Sequence, residues 1–426
     1  MWNFETEPAF EAELDWIAEF VAEKVRPLDF IVDDPYDMRS PLRNALIKPL
    51  QEEVRARRLW ACHLGPELGG QGYGQVKLAL INEILGRATC APIVFGAQAP
   101  DSGNAEILAH YGTVEQREHY LRPLLANEIV SAFSMSEPQG GADPKVFSTR
   151  AERVDDGWVI NGEKWFTTNA SHAAFIIVMA VTSPQESAYR QQSMFVVPAE
   201  TPGIEILRNP GTGAGKTRHA YVRYTDVRVP PQALLGGEGD AFVVAQTRLG
   251  GGRVHHAMRS VGIAQHCLDM MAERALSRHT QGEQLSRKQF VQGMVADSWV
   301  ELEMFRMLVL RTAWRIDEYH DYRRVRGDIA AVKAAMPGVL LNIVSRALQV
   351  HGSLGASDEM PFNDYVLRAH ELALADGPTE VHKVTLAREV LAGYSAAEGL
   401  FPTQHLPRLR EDAHRQYADV IEAFGS

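Results

Sequence analysis

The sequence contains little cysteine, no long basic run and no long apolar run. Its three cysteines, Cys62, Cys90 and Cys267, lie far apart, so we predict neither a disulfide framework nor a metal site. The formal net charge is −11, and without a cluster of Lys and Arg such a surface repels nucleic acid, so no nucleic-acid partner is expected. The longest apolar run covers nine residues, 173–181. That is about half of what a membrane-spanning helix needs, so membrane insertion is not expected either.

A secretory signal pattern is also missing from the N-terminus, which begins with Glu5, Glu7, Glu11 and Glu13 rather than with basic and apolar residues. Together with the sparse cysteines, this predicts a cytoplasmic protein. What the chain does have is a globular composition, with 45% hydrophobic and 23% charged residues. Because its 426 residues exceed one ordinary core, we expect two or three packed domains.

The apolar pattern changes along the chain and predicts the order of the domains. Residues 1–130 have helical spacing, as in Phe10, Leu14 and Ile17. Residues 131–235 contain short β-type runs, residues 236–400 return to long helical faces, and the polar residues 401–426 suit a terminal helix or tail. The predicted fold is α+β and multidomain: an N-terminal α-helical domain, a middle antiparallel β-domain and a C-terminal four-helix-type bundle.

Local signals within this outline predict where elements start and stop. Thr113 and Gln116 have the spacing of a capping box at a helix start. Asp-Gly at 156–157 and Asn-Gly at 161–162 predict two tight turns, because both pairs tolerate positive φ. Pro337 interrupts an otherwise continuous helical face and predicts a break there.

Residues 211–217, Gly-Thr-Gly-Ala-Gly-Lys-Thr, look like a phosphate-binding P-loop. The motif requires a glycine where this chain has Pro210, and it must open a helix, whereas the residues that follow here are strand-like. We therefore interpret this stretch as a β-hairpin loop.

Two segments carry stronger chemical signals, although each has a structural alternative. Residues 132–143 combine serines with Glu-Pro and paired glycines. Such a backbone exposes N–H groups that can bind flavin carbonyls or phosphate, but a Gly-rich turn between domains would look the same. Residues 161–169 form an aromatic strand with neighbouring threonines, which suits packing on a flavin ring or, equally, a hairpin whose aromatics are core.

Together with five further stretches, these segments resemble the acyl-CoA dehydrogenases over residues 1–400. The matching stretches are Met-Ser-Glu-Pro-Gln-Gly-Gly-Ala-Asp (135–143), Gly-Trp-Val-Ile-Asn-Gly-Glu-Lys-Trp-Phe-Thr-Thr-Asn (157–169), Tyr-Thr-Asp-Val-Arg-Val-Pro (224–230), Gly-Glu-Gly-Asp-Ala-Phe (237–242), Arg253, Ala-Leu-Gln-Val-His-Gly-Ser (347–353) and Ala-Asp-Gly-Pro-Thr-Glu-Val-His (375–382). Their order and spacing make the resemblance specific. Asp-Gly-Pro and the run Gly-Gly-Gly-Arg-Val-His-His (250–256) look most like the branch that contains the vertebrate members ten and eleven.

The resemblance implies FAD as the cofactor, held by residues from all three domains. The implied cofactor contacts are Phe133, Met135, Ser136, Gly141, Ala142, Phe166, Thr167, Thr168, Pro378 and Glu380 and, reaching a neighbouring subunit's FAD, Arg278, Gln281, Gln349, Val350, Gly352 and Ser353. Sites shared in this way imply a homodimer or homotetramer.

Individual roles can be carried over at the matching positions. Ser136 would offer its hydroxyl to the pyrimidine edge of the flavin, Phe166 would shield the ring, and Thr168 would lie near flavin N5. Two positions depart from the family. Ala142 stands where many relatives have Ser, so only its backbone N–H is left for cofactor or substrate, and Gln281 replaces the usual Phe.

Asp376 occupies the position of the catalytic base in this resemblance. Most relatives have Glu before Gly-Thr, whereas this chain has Asp before Gly-Pro. Removing an α-proton from an acyl-CoA needs a carboxylate within reach of the α-carbon, and Asp is shorter than Glu by one carbon–carbon bond, roughly 1.5 Å. In the alternative interpretation Asp376 only caps the helix that follows it, and Glu380 is then the nearest carboxylate.

The resemblance also assigns the substrate side of the site. Arg253 would lie near the CoA adenosine, Ala142 would offer its backbone, and the N–H of Gly377 or Asp376 would bind the thioester carbonyl together with an FAD ribose hydroxyl. His255 and His256, beside Arg253, have no third ligand at a metal-binding spacing. We interpret them as a hydrogen-bonded or phosphate-facing pair.

The implied function is oxidation of an acyl-CoA to the trans-2-enoyl-CoA in fatty acid metabolism and lipid catabolism, with electrons passed to an electron-transfer flavoprotein. Two alternatives stay open. One is a flavin oxidase of the same fold, either an acyl-CoA oxidase or a nitroalkane-oxidase-like enzyme that also uses Asp as its base. The other is a flavin-binding protein without dehydrogenase activity.

Overall fold

The structure is a computed structural model that describes residues 5–68, 70–211 and 218–424. Most of the P-loop-like stretch, residues 212–217, therefore lies outside the described residues. The described parts follow the predicted order of helices, sheet and helices.

Seven α-helices form the N-terminal part of the chain. They are α1 (Pro8–Phe20), α2 (Pro41–Ala56), α3 (Gly74–Leu85), α4 (Ala91–Val94), α5 (Asp101–Tyr111), α6 (Val114–Gln116) and α7 (Arg122–Leu125). The apolar stripe of α1 faces the core through Phe10 and Ile17, as its spacing predicted. The capping box before α6 is confirmed, because Thr113 and Gln116 bond each other's backbone N–H groups reciprocally.

The middle part is one mostly antiparallel sheet. Its strands are β1 (Ser131–Ser134), β2 (Arg150–Val154), β3 (Gly157–Thr168), β4 (Phe175–Val181), β5 (Gln192–Pro198), β6 (Ile204–Arg208), β7 (His219–Val229) and β8 (Leu234–Leu235). The order is β6-β7-β3-β2-β4-β5-β8, and β1 adds to β4 in parallel. All seven residues of β4 are buried, because this central strand is covered on both faces.

The prediction of two tight turns is half right. Asp-Gly at 156–157 joins β2 to β3 as expected. Asn-Gly at 161–162 does not form a turn, since β3 continues through it with a bulge against β7. The glycine is required by a close approach rather than by a turn: a Cβ at Gly162 would lie 2.5 Å from Thr149 Oγ1.

The C-terminal part is a helical bundle with two added helices. Its elements are α8 (Ala241–Ser277), the short hairpin β9 (His279–Thr280) and β10 (Glu283–Gln284), α9 (Gln289–Tyr319), α10 (Arg326–His351), α11 (Phe362–Leu374), α12 (Thr379–Leu391), α13 (Leu406–Gln416) and α14 (Ala418–Phe424). Helix α10 packs against α8, α9, α11 and α12. Helices α13 and α14 contain no buried residue.

The break predicted at Pro337 is wrong, because α10 runs through it without interruption. Met336 and Leu340, on either side of the proline, are both buried in the core, so packing holds the helix where one backbone hydrogen bond is lost. By length and composition the stretch Arg326–Leu354 would be long enough to cross a membrane, but half of its apolar window is buried inside the protein.

One core joins the two helical parts. Ile17 from α1, Leu268 from α8 and Leu372 from α11 belong to the same buried cluster. The sheet has separate clusters on its two faces. The helical parts therefore form a single packed body, with the sheet beside it.

Candidate active site

Asp376 lies in the turn between α11 and α12, and the backbone of this turn is held from two helices. Asp376 and Gly377 both have positive φ, 56° and 105°, which is uncommon for L-residues although Asp tolerates it better than most. The turn is held at the Asp376 carbonyl, which accepts from Arg253 Nε of α8 at 2.9 Å and from His382 Nε2 of α12 at 3.2 Å. The turn is thus fixed in place before any ligand binds.

The side chain of Asp376 does not act as a helix cap. Pro378 occupies the N-cap position of α12, and no side chain caps that end. The Asp376 carboxylate points to α8 instead, where its Oδ2 lies 3.5 Å from His256 Nε2. The capping interpretation is therefore wrong, and the carboxylate remains available for chemistry.

Cationic side chains lie around this turn. Lys333 of α10 is fully buried and donates to the carbonyl of Leu372 in the last turn of α11. Burial lowers the pKa of Lys333 to about 8, against the opposing effect of Asp376. Burial likewise lowers the pKa of Arg253, again opposed by Asp376. Positive groups thus face the place where negative charge would develop on a substrate carbonyl held at the turn.

A β-bulge shapes the sheet side of the site. The register of β3 against β7 shifts between Lys164 and Thr167, and Phe166 there has a φ of 49° and is 46% exposed. After the bulge, the two successive threonines point to opposite faces of the strand. Thr167 is buried with its hydroxyl 3.1 Å from that of Ser134, whereas the half-buried Thr168 meets His219 Nδ1 at 2.8 Å.

The loop after β1 is tied to this bulge, so the two segments singled out in the sequence meet. The N–H of Trp165 donates to the carbonyl of Ser136 at 3.0 Å. Ser136 and Met135 are half-buried, and Gly141 and Ala142 are exposed. Phe133 lies under the guanidinium of Arg248, 4.0 Å from the ring centre. The two segments that carry the predicted flavin contacts of the middle domain are therefore joined, and we call their exposed and half-buried residues the flavin surface; the buried Thr167 does not belong to it.

A buried ion pair supports that surface from below. Glu137 and Lys164 are both fully buried, with Oε1 and Nζ 2.8 Å apart. The Glu137 carboxylate also accepts the N–H groups of Ser148 and Thr149. Burial alone would raise the pKa of Glu137, but Lys164 and these two N–H groups outweigh it and lower the pKa to about 2.

This surface faces the C-terminal helices. The ring of Phe166 lies 5.9 Å from that of His219. Burial lowers the pKa of His219, and the charges of Glu371 and Arg368 on α11 also act on it. Helix α11, whose charges act on His219, leads directly into the Asp376 turn.

The residues predicted to reach a neighbouring subunit lie mostly on the surface. Arg278 and Gln281 are exposed at the β9–β10 hairpin, and Gln349, Gly352 and Ser353 are exposed at the end of α10. Val350 differs, because its side chain is buried in the core. Beside the Asp376 turn, Pro378 is half-buried and Glu380 is exposed.

The sequence analysis missed a polar cluster next to the base. A Cβ at Gly251 would lie 3.4 Å from Glu106 Oε2, 3.6 Å from the Tyr322 hydroxyl and 3.8 Å from His255 Cε1. Burial raises the pKa of Glu106 to about 7, although Arg248 opposes this. The one signal in the sequence is the triple glycine at 250–252 within a helical pattern, which costs helix stability and leaves room beside α8.

The histidines of this region carry unused polar atoms. Both ring nitrogens of His63, Nε2 of His255 and Nδ1 of His256 are buried and have no hydrogen-bond partner among the described residues. Burial lowers the pKa of His63 to about 4. His255 and His256 face different groups: His256 faces Asp376, and His255 faces His63, with ring centres 6.1 Å apart. The two rings are therefore not hydrogen-bonded to each other, and the phosphate-facing alternative stays a prediction.

Comparison with known proteins matches each part of this fold to one family. The N-terminal, middle and C-terminal domain models of the acyl-CoA dehydrogenases match residues 9–128, 132–227 and 239–391. The probable acyl-CoA dehydrogenase FadE2 of Mycobacterium tuberculosis is 37% identical over 88% of this chain and 94% of its own length. The chain belongs to the acyl-CoA dehydrogenase family.

Other members of the family share the same architecture and the predicted branch. Acyl-CoA dehydrogenase family member 11 of Gallus gallus is 36% identical over 87% of this chain, which spans 49% of that relative's length. The structure of a putative acyl-CoA dehydrogenase from Mycobacterium abscessus superimposes with a TM-score of 0.85 at 35% identity, covering 92% of this chain and all of that one. The enzyme is accordingly an oxidoreductase, and FAD is the cofactor of its family.

The residues of this chain fit FAD. Phe166 exposes a large apolar ring from a strained backbone, which suits cover by the flat flavin ring. Ser136 and Thr168 are half-buried and lie on the two segments joined at this bulge, and these three residues would hold the flavin. Three positions after Phe166, the side-chain amide of the fully buried Asn169 has no partner among the described residues.

Proposed function

We propose that this enzyme removes an α-proton and a β-hydride from a saturated acyl-CoA thioester and forms the trans-2-enoyl-CoA. The observation that carries the proposal is the Asp376 carboxylate, which lies at a turn held from two helices, is not used as a cap, and points to His256 of α8. A carboxylate that is held in this way and does not cap a helix is suited to act as a general base.

The residues of the chain have distinct tasks in this reaction. Asp376 takes the α-proton, while negative charge develops on the thioester carbonyl. The N–H groups of Asp376 and Gly377 donate to nothing else in the described ranges, so they are available to that carbonyl. Lys333 and Arg253 add positive potential around the turn. FAD, when bound, supplies the acceptor for the β-hydride.

We further propose an electron-transfer flavoprotein as the electron acceptor, a homo-oligomer and a cytoplasmic location. The exposure of Arg278, Gln281, Gln349 and Ser353 supports the oligomer, because these polar residues are free to complete a neighbouring site. Three buried, free cysteines support a reducing compartment.

Anaerobic titration of the FAD-loaded enzyme tests the proposal. The panel contains straight-chain, branched and hydroxylated acyl-CoAs, and the flavin absorbance is followed. We expect one class to bleach the flavin, with the corresponding free acid as the control that leaves it yellow. If the bound FAD stays yellow with every thioester in the panel, the proposal is overturned.

A flavin oxidase of the same fold is the second candidate, and Asp376 in place of the family's usual Glu favours it. A different reach of the base suits a different substrate. Oxygen consumption without any added acceptor separates the two activities. Rapid consumption with an acyl-CoA identifies an acyl-CoA oxidase, and consumption with a nitroalkane identifies a nitroalkane-oxidase-like enzyme.

A further inference from the structure

The side chain of His256 is half-buried and has one polar contact among the described residues. Its Nε2 lies 3.5 Å from Asp376 Oδ2, and its side chain is 15% exposed. Its Nδ1 is buried and has no partner in the described part of the chain. A buried ring nitrogen without a partner destabilises the fold, so packing alone does not explain why the chain keeps an imidazole here.

The space around the Asp376 carboxylate is tight on the same side. A Cβ at Gly252, on the same helix as His256, would lie 3.3 Å from Asp376 Oδ2. The His256 ring and the backbone of Gly252, both on α8, therefore lie against the Oδ2 end of the Asp376 carboxylate. A side chain longer by one methylene that kept this direction would meet them.

The other contacts of Asp376 act on its backbone rather than on its carboxylate. Arg253 and His382 both donate to its carbonyl oxygen, which fixes the turn but leaves the side-chain torsion free. Among the described residues, His256 is the polar side chain that approaches the carboxylate oxygen.

His256 is surrounded by cations and is therefore neutral at pH 7. Burial lowers its pKa well below the usual value, and nearby positive charges act in the same direction. These charges come from α8, α10 and α11, namely Arg259, Arg368, Lys333 and Arg248. A neutral imidazole carries one N–H, and with the proton on Nε2 it can donate to Asp376.

We propose that His256 is a positioning residue for the base: its Nε2–H holds the Asp376 carboxylate toward the substrate α-carbon, and its ring excludes the longer glutamate. A short carboxylate with one fixed rotamer then performs the task that a longer side chain performs in most relatives. The inference rests on the proposed dehydrogenation.

The first experiment compares anaerobic flavin reduction by wild type, His256→Ala and His256→Gln, using the acyl-CoA that bleaches the wild type fastest. We expect His256→Ala to lower the limiting reduction rate about 10- to 100-fold, because misplacement by about 1 Å costs this much. The half-saturating substrate concentration changes little. The primary isotope effect with 2,2-dideuterated substrate rises, and His256→Gln, which keeps a donor, recovers part of the rate.

The control is His266→Gln, which removes another buried imidazole from α8, one that bonds Arg26 far from the base. It is expected to leave the rate and the isotope effect unchanged. If His256→Ala matches the wild type in both, the positioning role is refuted. If no acyl-CoA bleaches the wild type, the proposed function fails before any variant is compared, so the two failures are distinguishable.

The second experiment tests the exclusion of glutamate. We expect Asp376→Glu to lose at least about tenfold in reduction rate, and Asp376→Glu combined with His256→Ala to recover most of that loss, so that the two substitutions are strongly non-additive. FAD content and melting temperature show that each variant is folded. An Asp376→Glu enzyme that is fully active with His256 in place, or a double variant that recovers nothing, would show that the ring does not limit the reach of the base.

Discussion

Two buried polar regions of this protein differ in whether their hydrogen bonds are complete. Below the flavin surface, Glu137 and Lys164 are fully buried and paired, and the carboxylate also accepts two backbone N–H groups. Beside α8, polar atoms of His63, His255 and His256 are equally buried but have no partner among the described residues. Since native folds seldom leave such atoms unpaired, the first region serves the fold, whereas the second needs hydrogen-bond partners that the described residues do not supply.

The pKa values of two glutamates, one near each region, are shifted in opposite directions. The pKa of Glu137 is lowered to about 2 because Lys164 and backbone N–H groups outweigh burial. The pKa of Glu106 is raised to about 7 because burial outweighs the charge of Arg248. The two glutamates therefore differ in their partners: Glu137 has a cation and two N–H donors, whereas the opposing charge at Glu106 is that of Arg248.

The largest effect is expected at Asp376, the proposed base, which lies beside His256 of the unpaired region. Asp376→Asn keeps the size of the side chain but removes the base, and we expect substrate-dependent flavin reduction to fall by at least about 10³-fold. FAD content is expected to stay at the wild-type level. Asp364→Asn, which changes an exposed carboxylate of α11, is the control. Rapid bleaching of the Asp376→Asn enzyme would move the base elsewhere.

The paired region is expected to respond in stability rather than in rate. Glu137→Gln leaves Lys164 buried beside a neutral amide and should lower the free energy of unfolding by about 3–5 kcal/mol. The matched control is Glu118→Gln, which breaks the exposed pair with Arg122 and should cost less than about 1 kcal/mol. Urea unfolding of the FAD-loaded protein measures both. Equal shifts for the two variants would contradict the comparison.

The sequence and the structure predict different roles for Arg253, and a variant at this position distinguishes between them. Its contact with the Asp376 carbonyl predicts that Arg253→Gln lowers the limiting reduction rate about 10-fold or more by releasing the turn. The sequence-based role at the CoA adenosine predicts instead a higher half-saturating substrate concentration. Steady-state kinetics separates the two outcomes, with Arg311→Gln on the exposed face of α9 as the control.

The smallest expected effect is a change in pH dependence at Glu106. Its folded-state pKa of about 7 lies above the usual 4.5, so the stability it contributes is complete below pH 4.5 and is lost as the pH rises through 7. Glu106→Gln should therefore gain on the order of 1 kcal/mol relative to wild type between pH 5 and pH 8, less than the full shift because the side chain keeps solvent contact. Melting temperatures across this range test it. As a control, the melting temperature of Glu128→Gln, a change at an exposed residue, should vary with pH as that of the wild type does.

The domain order and the family could be predicted from sequence because they depend on local patterns. Helical spacing placed Phe10 and Ile17 in the core, and the order of short motifs identified the family. The two errors of local structure, at Asn-Gly 161–162 and at Pro337, arose where long-range packing overrides a local preference.

Less of the site could be predicted from the sequence, because its contacts join residues that are distant along the chain. The bond between Arg253 and the carbonyl of Asp376 spans 123 positions, and no local spacing predicts it. His256 was noticed beside Arg253, but only the three-dimensional turn shows which carboxylate it faces. No sequence motif marks Glu106, because its surroundings are formed by residues of α5 and α8 and by Tyr322.

The shared core of the two helical parts also has a consequence for synthesis. The start of α3 is closed by Asp317 of α9, whose carboxylate accepts the N–H groups of Gln75 and Val76 at 2.6 and 3.0 Å. A nascent chain must therefore wait for some 240 further residues before this helix end is satisfied, a delay that exposes apolar surface during translation. Although residues 9–128 match a domain model of their own, a ribosome-bound chain stalled before α9 should be cut readily by protease, and one stalled after α12 should resist it.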